Sequence, residues 1–495
     1  MRRFAAALAG LAVLAPAQAA AAPVLVLDGD HVERREDPHL PALDLPSPRS
    51  AGLRAAGMRR AQSKRTVRGE LARLLTEGRI DQATHDSYRA TYNLARKSYK
   101  RLTGARRAGL GGALANAELI AAAGELTPSR LPAVFLTVAR NRQWWTTGSL
   151  LSNGQRVEFS GSEIVWQNYS GQGIQIQVLG TFGRANGLWQ ASEDDALRAL
   201  LDEMLALASD RGGVMAWEYL FRYGGGSPPW ASGMAQATGV QALARAAERL
   251  GEPAYRDAAI RALALFETPA PVGVRVDGQA GPHYLLYSFA PELRVYNGFL
   301  QAVIGLLDAA ALTGEPRAQA LAGAGDAEAR AELAAVDTGA WSLYSTGSDP
   351  AAGRESSLHY HRLVTEFLDG ICKRTSAAEY CTAAERFAGY EDVAPVVRPL
   401  TRRVRAGRPA NLRFALSKIA RVRLEVVDAG GRAVATRSGS AGYGKRFFTW
   451  TPRTAGSFEL RASATDLAGN ASEVRAIPLE VLPAKKPRPP AGRAR

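Results

Sequence analysis

Hydrophobic positions change their period three times along the chain, and each change predicts a different kind of element. Leu71, Leu74, Leu75, Ile80, Tyr88, Tyr92, Leu94 and Tyr99 recur at near-helical spacing with arginines on the other faces. That pattern predicts a helical hairpin or small bundle from Leu53 to about Gly124. Between Trp144 and Trp189 the period drops to two: Val157 with Phe159, Ile164 with Trp166, then Ile174, Ile176 and Val178, with SNGQ and SGQG as turns. A small antiparallel sheet follows from it. ASEDDALRALLDEMLALASDRGG restores the helix, with Ser192 and Asp195 placed as a capping box and Gly212 as a stop. Further helical units read as GMAQATGVQALARAAERLG, AYRDAAIRALALFE, YNGFLQAVIGLLDAAALTG, DAEARAELAAV and YHRLVTEFLDGI. Short helices joined by longer segments rich in aromatic and polar groups point to an α/α toroid, whose connections converge at one mouth. His283 to Tyr296 then reads as a cleft-forming loop or hairpin anchored by the helix after it. Past about Pro395 alternation returns: Leu412, Phe414 and Leu416, then Val422, Leu424 and Val426, then Phe458, Leu460 and Ala462 share a face. With DAGG and DLAGN as turns, this predicts an immunoglobulin-like β-sandwich.

The fold class expected is therefore multidomain and mainly α, an α/α toroid with a small β-sheet insertion and a C-terminal sandwich. The boundaries are residues 1–19, a secretory signal; 20–48, a proline- and charge-rich linker; 49–135, a basic helical region; 136–190, the small sheet. They continue as 191–392, the toroid; 396–482, the sandwich; 483–495, a basic proline-rich tail. Arg2 and Arg3 before the apolar run Phe4 to Ala15, and Ala17-Gln18-Ala19 after it, are the marks of the signal. No later apolar run approaches the roughly 20 residues that cross a bilayer, so a secreted or cell-surface location is expected.

Charge narrows the partners. The formal charge is +15, and residues 49–107 alone hold 16 Arg or Lys against 4 acids. Such a face attracts polyanions. No zinc finger, helix-turn-helix or aromatic RNA-binding motif appears, and export disfavours nucleic acid, so the expected partner is an acidic polysaccharide or cell-envelope glycan, beside the plainer reading of an arginine-biased composition with solvated helix faces. Cys372 and Cys381, the only two cysteines, are expected to form a disulfide between successive helices.

No nucleophile-elbow, P-loop or zinc-protease motif is present. His359 and His361 diverge on a helix, so no metal site is expected. Tyrosine does recur near helix starts, as Tyr287 in YLLYS, Tyr344 in WSLYS and Tyr360 in HYHRL. Each alone reads as a packed aromatic with a bonded hydroxyl.

Four ordered segments, PPWASGMAQATGVQALARA, YLLYSFAPELRVYNGFLQAVIGLLD, DTGAWSLYS and HYHRLVTEFLDGI, resemble the C-terminal domain of the D-glucuronyl C5-epimerase family, over about residues 140–390. The resemblance implies an isomerase that inverts C5 of uronate residues in a polysaccharide without a cofactor, in a family whose members can be homodimers. It carries the catalytic role onto Tyr287, Tyr344 and Tyr360. Substrate-binding candidates are Asn297, Trp230 and His361 within the matching segments, with Arg294, Arg354 and Arg362 as nearby cations. Leu286 stands where the family has an acid, and Ser345 to Ser348 replace its Asp-Leu-Arg-His run. The chemistry needs positive charge where the enediolate grows and a base and an acid on opposite ring faces. Tyrosine serves as either once its pKa of about 10 is drawn down by nearby cations. A polysaccharide lyase would use the same carbanion. Glycoside hydrolysis, through two facing carboxylates, and an inactive cell-surface glycan binder are the other readings.

Overall fold

The computed structural model describes residues 21–41 and 65–484. The expected signal, residues 20 and 42–48 of the expected linker, residues 49–64 of the basic region and residues 485–495 of the tail lie outside the described residues. Contacts divide the described chain into two compact units, one holding 21–41, 65–230 and 238–262, the other 231–237 and 263–484.

The first unit starts its helices where polar side chains can cap them. In α1 (Val67–Thr76) the Thr66 hydroxyl accepts from Gly69 N at 3.1 Å, and in α2 (Gln82–Arg101) Asp81 accepts from Thr84 N at 2.7 Å. Helices α3 (Gly104–Ala122) and α4 (Leu131–Thr147) complete a helical group with them. Leu71, Leu74 and Tyr92 are buried in it, whereas Leu94, counted in the same stripe, is 50% exposed. The five-stranded sheet has the order β2-β1-β3-β4-β5, from β1 (Ala21–Asp28), β2 (His31–Pro41), β3 (Arg156–Phe159), β4 (Trp166–Tyr169) and β5 (Gly173–Ile176). Only β1 and β3 run parallel.

Two sequence expectations are corrected here. Residues 20–48 are not simply a linker, because 21–41 form a hairpin built into this sheet. Its second strand is mostly charged and hides from a hydrophobic-period reading. Buried Asp37 instead lies 3.6 Å from Arg184, which also binds Glu158 at 2.9 Å, so ion pairs distant in sequence fix the strand. The 136–190 sheet region is likewise narrower. Residues 136–147 belong to α4, and Val178 opens α5 (Val178–Ala191), capped by Gln177, whose side chain accepts from Gly180 N at 2.8 Å. Ser192 closes α5 in the left-handed conformation (φ 62°) rather than capping α6 (Asp194–Ala206). The amides of Ser192 and Glu193 bond back to Trp189 and Leu188, and that geometry ends a helix.

Helix α7 (Gly233–Leu250) passes from the second unit into the first, and α8 (Pro253–Ala262) follows it. The second unit holds α9 (Ala264–Glu267), α10 (Tyr296–Thr313), α11 (Pro316–Leu333), α12 (Leu358–Thr375) and α13 (Ala378–Tyr390). Helix α10 packs against α11 and α12, and α12 against α13. An almost uniformly apolar α10 is buried on nearly all sides, as its composition requires. Gly305 on it lies against the Ala237 carbonyl, an approach that a side chain would block. Cys372 and Cys381 are bonded and tie α12 to α13.

The C-terminal strands form two sheets. One contains Val397–Pro399, Ala410–Leu416 and Gly444–Trp450; the other contains five strands, Arg403–Arg405, Arg475–Leu482, Gly456–Asp466, Ala420–Val427 and Ala433–Ala441. Leu412, Phe414 and Leu416 from the first and Val422, Leu424, Leu460 and Val481 from the second share one core. The predicted alternation is thus the inner faces of a sandwich. Glu355 holds this sandwich to the helices of its unit by accepting the amides of Ile419 and Tyr443, both at 2.6 Å.

Candidate functional site

The His283–Tyr296 segment is extended because its backbone is bonded from three sides. His283 and Tyr284 pair with Arg275–Asp277, Leu285 O accepts from Gly233 N at 2.8 Å, and Ser288 N donates to Ala231 O at 2.9 Å. Tyr287 sits between these anchors and begins a tight turn, its carbonyl accepting from Ala290 N. The chain then enters the short strand Arg294–Val295, paired antiparallel with Ser345–Thr346. Gly347 (φ 105°) closes beneath the Glu292 carbonyl, where only a residue lacking Cβ fits. That pairing brings Tyr344 beside α10, with its carbonyl accepting from Tyr296 N at 3.2 Å and its amide donating to Arg354 O at 2.8 Å. Tyr360 is the third residue of α12, placed by Ser357, whose hydroxyl accepts the Tyr360 amide at 3.3 Å.

The three tyrosines, each half-buried, are brought together. The Tyr344 and Tyr360 rings lie 4.9 Å apart at 57°. Tyr287 and Tyr344 both pack on the cluster of Leu293, Val295 and Ala351. Strand alternation explains the arrangement, since Leu293 and Val295 point to the tyrosines and Arg294 between them points away. Arg294 is accordingly spent elsewhere: it binds Glu332 at 3.1 Å, Glu328 at 3.4 Å and the Asp277 carbonyl at 2.9 Å. Burial alone would raise the Glu332 carboxyl, but its bond to His283 and the charge of Arg294 outweigh that and hold it below the usual carboxylate range.

The other candidates divide in the same way. Arg354 is exposed on the segment that leads into α12, one backbone bond from Tyr344. Arg362, two residues past Tyr360, pairs with Glu391 at 2.7 Å over an acidic groove between α12 and α13 that includes Glu366, Asp369 and Glu385. His361 is fully buried. Its ring stacks on Trp341 at 3.7 Å, Nδ1 accepts from Ser342 Oγ at 2.8 Å, and Nε2 donates to the Phe387 carbonyl at 2.9 Å. Burial pushes the His361 imidazole below its ordinary value, so the neutral ring is the form held. Asn297, at the start of α10, is 2% exposed, and its Oδ1 has no hydrogen-bond partner. Trp230 belongs to the first unit, where it stacks on Tyr219 at 4.2 Å and donates to the Phe221 carbonyl at 2.8 Å.

Sequence reasoning passed over two neighbours. Phe289 stacks on Tyr287 at 5.5 Å, and half-buried His359 lies 5.5 Å from the Tyr360 ring. The i,i+2 spacing of Tyr287 and Phe289 on an extended segment was the available signal for the first. Leu286, in place of an acid, packs on Gly298. Among the described residues no cluster of His, Cys, Asp or Glu could hold a metal ion.

Residues 211–389 match the family model for the D-glucuronyl C5-epimerase C-terminus. A D-glucuronyl C5-epimerase of Caenorhabditis elegans is 29% identical over 181 residues, 33% of this chain and 29% of that protein, so the chain spans under a third of this relative's length. Among solved structures, a cellobiose 2-epimerase from Bacillus thermoamylovorans aligns with 53% of this chain and 72% of its own, at 10% identity and a TM-score of 0.34. Fibronectin(III)-like modules of Clostridium thermocellum align with 18% of this chain and 100% of their own, at 20% identity and a TM-score of 0.15.

Proposed function

We propose that the protein is a carbohydrate epimerase that removes and returns the C5 proton of uronic acid residues in an acidic polysaccharide. The observation that carries the reading is that Tyr287 and Tyr344 pack on one side of the Arg294–Val295 strand and Tyr360 brings its ring to within 4.9 Å of that of Tyr344. The family match over 211–389 covers all three. One phenolate takes the C5 proton, a second phenol returns one from the opposite ring face, and Arg354 neutralises the substrate carboxylate so that the enediolate can form. Asn297, with a buried acceptor, faces the same chemistry as a donor-seeking group near the sugar. In this reading the helical region is an α/α toroid, the sandwich is an immunoglobulin-like accessory module, and residues 1–19 export the chain to the secreted or cell-surface space.

The test is solvent exchange. Wild-type protein incubated in deuterated water with glucuronate-containing polysaccharide is expected to introduce deuterium at C5 without chain cleavage. No incorporation across a panel of uronate polymers overturns the proposal, and absorbance of an unsaturated uronide would identify a lyase instead. A binder without turnover is the second reading, favoured by Leu286 packed on Gly298 and by the neutral Ser345–Ser348 turn. It predicts polymer binding with no exchange.

A further inference from the structure

The outward face of the three-stranded sheet is not explained by its own packing. Leu412, Phe414 and Leu416 point inward, so strand alternation sends Arg413 and Ala415 outward together with their partners across the sheet. Register places Arg398, Ala415 and Lys445 in one row and Arg413 beside Phe447 in the next. Continuing the same register one step sets Val396, Ser417 and Tyr443 on the row before, with Val396 and Ser417 joined by backbone and hydroxyl bonds. The Gly444–Trp450 strand and the residue before it thus show aromatic, cation, aromatic as Tyr443, Lys445 and Phe447, and Phe447 is 55% exposed. Arg398, Arg413 and Lys445 are all exposed, and none forms a salt bridge among the described residues. No acid occupies an outward position of the three strands, and Glu355 stands at one end of the face, accepting the Tyr443 amide at 2.6 Å.

The second sheet of the same sandwich provides the comparison. Its outward arginines are interspersed with acids: Arg403 binds Glu480 at 2.8 Å, Arg423 binds Glu425 at 2.7 Å, and Arg461 binds Glu459. On that face three arginines are paired with acids, whereas Arg398, Arg413 and Lys445 are not. An exposed Phe carries the cost of apolar surface left in water, and three unpaired cations within two strand spacings of about 4.8 Å repel each other. Both costs are offset when a chain that carries carboxylates and flat apolar ring faces lies across the sheet.

We propose that this face is an accessory docking site for a carboxylate-bearing polysaccharide. Arg398, Arg413 and Lys445 pair with successive carboxylates, and Tyr443 and Phe447 stack on the C–H faces of the sugar rings between them, while small Ala415 leaves the floor open. The identity of the polymer rests on the epimerase reading, but the site itself is tested by binding alone.

The experiment uses the full chain and three probes: polyglucuronate, neutral dextran and a single-stranded oligothymidylate. Affinity electrophoresis is expected to show retardation by polyglucuronate and none by dextran. Arg398→Ala, Arg413→Ala and Lys445→Ala combined are expected to weaken that binding at least tenfold, and Tyr443→Ala with Phe447→Ala several-fold, with unchanged melting temperature. A matched control, Arg421→Ala with Arg423→Ala on the other sheet, is expected to leave it unaltered. Unchanged polyglucuronate binding in the triple variant overturns the site. An equal loss in the control or full binding in the aromatic variant also overturns it, since either reduces the effect to bulk charge. Tighter binding of oligothymidylate that depends on the same five residues overturns the polysaccharide assignment. A Tyr344→Phe protein that binds polyglucuronate normally but exchanges no deuterium keeps this inference separate from the catalytic one.

Discussion

At the residue scale Tyr360 and the histidine next to it have opposite surroundings. Tyr360 and His361 are adjacent, yet a helical step of about 100° sends one ring to Tyr344 and the other into the core against Trp341. Tyr344→Phe and Tyr360→Phe remove one hydroxyl each and are expected to lower C5 exchange roughly 10²- to 10⁴-fold without loss of melting temperature. Deuterium incorporation by mass spectrometry checks this, and unaltered rates would leave both rings as packing groups. His361 gives a pH signature of stability. Its folded value lies below the unfolded one, so between the two the unfolded chain binds more protons. The stability it contributes is complete above about pH 6.5 and declines as pH falls through that value. His361→Gln is therefore expected to lose stability at pH 7.5 but to show a shallower fall of melting temperature toward pH 5 than the wild type. That Tyr287, Tyr344 and Tyr360 stand near helix starts was legible from their motifs; that Arg294 was spent on Glu332 and Glu328 was not, because those acids sit at i and i+4 on α11 and read in sequence as a solvated face.

The elements are held by a few strong local devices. The Cys372–Cys381 bond closes a loop with a sequence separation of 9 between α12 and α13, and for a loop of that size chain entropy gives about 2 to 3 kcal/mol. Cys372→Ser with Cys381→Ser is expected to lower stability by that amount, measured by urea denaturation, and a reductant should reproduce it in the wild type alone. Helix α12 carries Tyr360, so the same variant tests how far its positioning depends on the staple. Long amphipathic helices and the sandwich strands were legible because burial on one face writes a period into the sequence. Strand β2 was not, as its partners are ion pairs rather than apolar contacts. Nor was the Ser192 boundary, since a serine suits the start of one helix and, more rarely, a left-handed end of another.

For the whole molecule the attachment of the sandwich to the helices of its unit is decided by buried charge. Lys418, 1% exposed, pairs with Asp466 at 2.6 Å, donates to the Tyr390 carbonyl at 2.7 Å and lies 5.1 Å above Trp341. Burial opposes the Asp466 charge, but the bonds from Lys418 and Asn470 outweigh it and keep the carboxyl below its usual range. Lys418→Ala strands that carboxylate, and a loss of about 3 to 5 kcal/mol is expected by chemical denaturation. Lys418→Met with Asp466→Leu should recover most of it. The sequence by itself determined where helices give way to strands, the pairing of two cysteines, and the resemblance that marks three tyrosines. Each of these is written in local spacing or in a short motif. Only the tertiary structure decided which cations, Arg294 and Arg362 among them, are consumed by acids, because electrostatic partners are chosen by distance in space. It also decided that Tyr287 and Tyr344 share one apolar cluster while Tyr360 meets the Tyr344 ring, because strand pairing and helix capping, acting over dozens of residues, fix where those connections meet.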